Sequence, residues 1–120
     1  MTRAVVAAAA AALALGAGAA VAAETGLRGT LFVYPSTPVC PRGSACTKPA
    51  PGLSLIFYRQ GRKVARTTTN RDGRYRVLLA PGAYTVKLWR RPAVRVEPAR
   101  VVVRSSGIRR VDFTYDSGMR

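Results

Sequence analysis

The chain has 120 residues, with 20 Lys and Arg against five Asp and Glu, two Cys and no His, for a formal net charge of +15. That length fits one small domain. The lack of histidine removes the most frequent general base and metal ligand, and the charge favours polyanionic partners.

The chain opens on Arg3 and then an unbroken run of Ala, Val, Leu and Gly from Ala4 to Ala23. A positive residue, an apolar stretch and a small-residue end have the layout of a secretory signal peptide, with cleavage after Ala22 or Ala23. The rival reading is an uncleaved anchor, because the run reaches the ~20 residues of a membrane span. Its Ala and Gly content makes it weakly hydrophobic, and no aromatic belt flanks it. The expectation is a signal over residues 1–23 and a secreted or envelope-associated domain over residues 24–120, whose net charge without Arg3 is +14. A domain of that size buries only about 60–65% of its unfolded surface.

Strand patterns follow, and no sustained helical period is found. Leu27 to Tyr34 reads as the first strand, with Leu31 and Val33 on one face. Pro35 to Pro51 is a proline-rich loop, excluded from a central strand because proline donates no ladder hydrogen bond. It carries Cys40 and Cys46, which in an exported chain predict a disulfide. Closing so short a loop contributes roughly 2 kcal/mol. Five residues separate the pair, and there is no histidine to complete a metal site. Leu53 to Tyr58 is apolar on both faces and reads as central. Gln60-Gly61 turns the chain into Lys63 to Thr69, a polar strand with edge character. Asp72-Gly73 predicts a tight reversal. Arg74 to Leu79 alternates, with Tyr75, Val77 and Leu79 inward and Arg74, Arg76 and Leu78 outward. Pro81-Gly82 makes the next turn. Tyr84 to Trp89 then places Tyr84, Val86 and Leu88 inward and Thr85, Lys87 and Trp89 outward. Arg90 to Pro98 reads as a loop or irregular edge. Ala99 to Arg104 and Arg109 to Tyr115 are expected to pair across Ser105-Ser106-Gly107. Seven strands at this spacing suggest an all-β sandwich or barrel.

The run from Thr69 through Asp72-Gly73-Arg74-Tyr75 to Pro81-Gly82-Ala83-Tyr84-Thr85-Val86 resembles a family signature. It is similar to the transthyretin-like (prealbumin-like) sandwich of carboxypeptidase regulatory-like and Cna protein B-type domains: Thr, a few residues, Asp-Gly-x-Tyr/Phe, an alternating strand, then Pro-Gly-x-Tyr-x-Val. The resemblance implies an all-β, seven-stranded Greek-key β-sandwich that binds, spaces or stabilises and is not usually a catalyst. The cysteine-bracketed loop and the ending Tyr115-Asp116-Ser117-Gly118 also resemble a group of small exported bacterial proteins. Some adhesin relatives form an isopeptide bond from a first-strand Lys to an Asn or Asp in the last strand. Here the first strand has no Lys and the one Asn is Asn70, so the bond is not expected. Others bind calcium at carboxylate-rich turns. Asn70-Arg71-Asp72-Gly73 offers one carboxylate between arginines, which fits an Asx-type turn better than a calcium loop.

Chemistry is hard to assemble from this inventory. Glu24, Asp72, Glu97, Asp112 and Asp116 are scattered, the serines have no imidazole base, and no motif sets Lys63 or Lys87 beside a serine. No enzyme, cofactor or metal site is expected. The candidate binding face is the outward side of the two signature strands: Arg74, Arg76, Lys87 and Trp89, followed by Arg90 and Arg91. Bases beside an exposed aromatic suit an anionic polymer. The plainer reading is a solvated face, with Trp89 covering the next loop. A GC-rich coding bias would account for Arg over Lys, though less well for so few acids. Arg104, Arg109 and Arg110 read as a solvated turn. The leading functional expectation is an exported, non-catalytic module that contacts an anionic envelope polymer or an acidic protein. The alternative is an accessory domain that positions a separate exported enzyme. A nucleic-acid role rests on charge alone.

Overall fold

Buried and exposed residues alternate without a break along Arg74–Leu78, as period-two side chains require where one face of a strand is covered. The computed structural model describes residues 24–42 and 46–118. The leader expected over residues 1–23 lies outside them. The strands are β1 (Thr25–Tyr34), β2 (Lys48–Pro49), β3 (Ser54–Arg59), β4 (Arg62–Thr68), β5 (Arg74–Leu78), β6 (Gly82–Leu88), β7 (Val96–Glu97), β8 (Arg100–Val103), β9 (Gly107–Arg110) and β10 (Phe113–Asp116). The expected all-β sandwich is present. One sheet runs β4-β3-β6-β8; the other runs β2-β1-β10-β7, with β5 and β9 also paired to β1.

Among the described residues there are ten strand segments where seven were expected. The two-residue β2 and β7 arise inside segments read as loops, pairing with β1 and β10 respectively. The final strand divides into β9 and β10. The expected terminal hairpin does not form: β8 pairs with β6 in one sheet, while β9 and β10 pair in parallel with β1 in the other. β3 is central and β4 an edge, as their sequences suggest. Gln60 and Gly61 both have positive φ, 51° and 79°, as a two-residue hairpin with the twist of its strands requires.

The core is filled from both sheets. Leu55, Phe57, Tyr84, Val86, Leu88, Val101 and Val103 meet Leu27, Leu31, Tyr75, Val77 and Phe113. Phe113 sits at its centre, with ring centroids 6.3 Å from Phe57 and 5.5 Å from Tyr75. Each such side chain, fully buried, contributes about 1.5–3 kcal/mol.

The signature residues build the crossings between sheets. The Thr69 hydroxyl is buried; it donates to the Ala50 carbonyl at 2.7 Å and accepts from the Leu53 N–H at 3.0 Å. Asn70 Oδ1 accepts from the N–H groups of Asp72 and Arg74 at 2.8 and 3.0 Å, an Asx turn. Gly73 follows at φ 77°, with Pro49 and Ala50 where a Cβ would stand. After Pro81-Gly82, the Tyr84 hydroxyl donates back to the Ala80 carbonyl, the arrangement of a tyrosine corner. Neither turn joins neighbours within a sheet. Asp72-Gly73 carries the chain from β4 to β5, and Pro81-Gly82 carries it from β5 to β6, each time changing sheets.

Candidate anion-binding faces

Those two crossings decide where the expected binding residues lie. Arg74 and Arg76 are exposed on β5, and Lys87 is exposed on β6, with Trp89, Arg90 and Arg91 just beyond it. All six are exposed. They do not form one face, because β5 and β6 belong to different sheets and their outward sides are opposite sides of the sandwich. The reason is that each signature turn is a corner between sheets, and local alternation carries no information about which sheet a strand joins.

The outer face of β4-β3-β6-β8 gathers Lys87, Trp89 and Arg90 with residues that the sequence did not single out. Register places Ile56 beside Arg66 on one side and Lys87 on the other. Ile56 is only 2% exposed although it points away from the core cluster, as expected when the aliphatic stems of flanking bases cover it. The Arg66 guanidinium carbon lies 3.8 Å from the Trp89 ring centroid and that of Arg90 lies 4.1 Å from it. Lys87 Nζ is 5.5 Å from the Tyr58 ring centroid. Such contacts fix the direction of a cation at about 0.5–1 kcal/mol each when exposed. Tyr58, Thr85 and Arg100 form the next row and line a shallow depression of about 290 Å³. The four strands carry Arg59, Arg62, Lys63, Arg66, Lys87 and Arg100 and no acidic residue.

The outer face of β5-β1-β9 is also basic. Arg28 stands opposite Arg76 on one side and Arg110 on the other, and Thr30 stands opposite Arg74. These residues line a groove of about 460 Å³ with Gly29 and Tyr75. Arg76 pairs with Glu24 at 3.2 Å and Arg110 with Asp112 at 3.4 Å. Both pairs are exposed and worth little. Arg110 was expected in a solvated turn; it lies in this row because β9 pairs with β1. Arg28 was not singled out in the sequence; alternation with Leu27 could have marked it as outward, but its neighbours come from distant parts of the chain.

Beneath the groove the chain is tightly built. Gly29 lies where β1 changes partners, and a Cβ there would come 2.0 Å from the Val111 carbonyl oxygen. The Tyr75 hydroxyl donates to that carbonyl at 2.6 Å, and Asp112 Oδ1 accepts the Thr30 N–H at 2.9 Å. Burial, reinforced by the Asp112 charge, pushes the Tyr75 phenol well above its usual range.

Cys40 and Cys46 form the expected disulfide, with Cα atoms 5.8 Å apart. Such a bond points to an oxidising, non-cytoplasmic location. Asp72, Gly73 and Pro81 lie between strands, whereas Gly82, expected in the turn, is the first residue of β6 and pairs with Val103. Among the described residues, no group of three or more Cys, Asp or Glu is placed to hold a metal ion.

No protein-family model matches the chain, and no curated protein matches it. Solved structures similar to it include two bacterial proteins. One is a DUF3823 family protein from Parabacteroides merdae, at 18% identity and a TM-score of 0.48, covering 79% of this chain and 47% of that one. The other is a leucine-rich repeat protein from Bacteroides thetaiotaomicron, at 14% identity and a TM-score of 0.46, covering 76% of this chain and 12% of that one. The chain therefore spans less than half the length of either.

Proposed function

We propose that the chain is an exported, non-catalytic, transthyretin-like module that holds anionic envelope polymer on the outer face of β4-β3-β6-β8. The observation that carries this reading is the outward bases Lys63, Arg66, Lys87 and Arg100, with no acid on those four strands, next to Trp89 with the guanidinium groups of Arg66 and Arg90 against its ring. A guanidinium resting on an aromatic ring keeps its N–H edges free for phosphate or carboxylate oxygens, and less rotamer freedom is lost when it binds. Tyr58 and Trp89 add apolar surface for the sugar or base of a polymer unit. The signature from Thr69 to Val86, with the Tyr84 corner, supports the family reading. The apolar leader and the Cys40–Cys46 bond support export.

The test uses long-chain inorganic polyphosphate as probe and a variant carrying Arg66→Gln, Lys87→Gln and Arg90→Gln. These side chains are exposed, and Gln keeps part of the aliphatic stem over Ile56, so the variant is expected to fold. Its affinity is expected to fall by about tenfold or more, since each charge-assisted contact to phosphate is worth about 1.5–3 kcal/mol. Affinity equal to wild type would overturn the assignment of this face.

A further inference from the structure

We propose that the arginine groove on the opposite sheet is a second anion site, so that one chain bridges two phosphate-bearing polymers. The bridging part rests on the reading above; the groove stands on its own geometry. Arg76, Arg28 and Arg110 are directly opposed across three neighbouring strands, a spacing of about 4.8 Å from one to the next. Like charges directly opposite in a sheet destabilise it. Only the two outer members have a carboxylate: Glu24 beside Arg76 and Asp112 beside Arg110. Among the described residues, neither Arg28 nor Arg74 has an ion-pair partner, and both line the same groove.

A local rule broken without compensation marks a functional position. An anion bound over Arg28 would offset this repulsion. A phosphate group fits better than a carboxylate. It brings up to about two negative charges and three acceptor oxygens, enough to engage several guanidinium groups at once. The Thr30 hydroxyl, in register with Arg74, supplies a neutral donor at the groove's edge. The two basic faces lie on opposite sides of the sandwich, so neither polymer obstructs the other. A chain with two opposed sites turns weak single contacts into cross-links.

The experiment loads the protein onto immobilised polyphosphate and then offers a second, fluorescently labelled polyphosphate. Wild type is expected to capture the second polymer. A variant with Arg28→Gln and Arg74→Gln is expected to bind the first polymer but to lose capture by about tenfold or more. Its unfolding temperature is expected to equal or exceed that of wild type, because like-charge repulsion is relieved. Undiminished capture by the variant would overturn the proposal. So would wild type that binds without capturing while the variant binds equally well, a result that leaves the first face intact as the site. Loss of first-polymer binding in the variant would overturn bridging and the earlier reading together, leaving the groove as the sole site.

Discussion

Tyr75 shows how one residue ties the core to the candidate site. Its ring packs on Phe113 and its hydroxyl donates to Val111 under the arginine groove. Burial and the nearby Asp112 carboxylate both disfavour the phenolate, so its pKa is raised in the folded state. The unfolded chain therefore releases this proton first. The stability tied to the neutral phenol is fully present below pH 10, the ordinary tyrosine value, and is lost as the pH rises above it. The slope from this one group approaches about 1.4 kcal/mol per pH unit. In urea unfolding between pH 9 and pH 11, Tyr75→Phe is expected to start from a lower stability, having lost a hydrogen bond, but to decline less steeply than wild type. Parallel declines would show that Tyr75 ionises as freely folded as unfolded. Trp89 is the second residue whose surroundings matter. Its exposure was legible in strand alternation, whereas the guanidinium of Arg66 came from 23 residues earlier in the chain, on a strand whose pairing had to be known.

At the scale of elements, β1 organises the fold. Its first half pairs with β5 and β9, and its second half with β10 and β2. Gly29 marks the change, with the Val111 carbonyl in the space of a side chain. Gly29→Ala would force that backbone apart and is expected to cost about 3 kcal/mol or more in chemical denaturation. A loss below about 1 kcal/mol would show that the junction yields easily. Strand identity was largely legible, because Tyr75-Val77-Leu79 and Tyr84-Val86-Leu88 alternate cleanly and the turns carry Asp-Gly and Pro-Gly. Sheet membership was not. A turn sequence fixes a reversal, but the same reversal serves a hairpin or a corner. The terminal hairpin failed for that reason: Ser105-Ser106-Gly107 takes the chain across the sandwich rather than back along it. Arg28, Arg76 and Arg110 become neighbours only through pairings between residues about 50 and 80 positions apart, which no local pattern encodes.

For the whole molecule, the decisive feature is how charge is partitioned. The acids lie on the six-stranded sheet, its flanks or the Asp72 corner, and the four-stranded sheet has none. A surface of one sign raises the local concentration of polyanions and speeds encounter with them. Composition made the excess legible; its division into two opposed faces depended on the fold. The central claim is that this charge is the grip. It is tested most directly by retention of the purified protein, residues 24–120, on isolated bacterial envelope across a series of salt concentrations. The account predicts tight retention at low salt that falls steeply towards 1 M, where the screening length is about 3 Å. Retention that does not change with salt would contradict it.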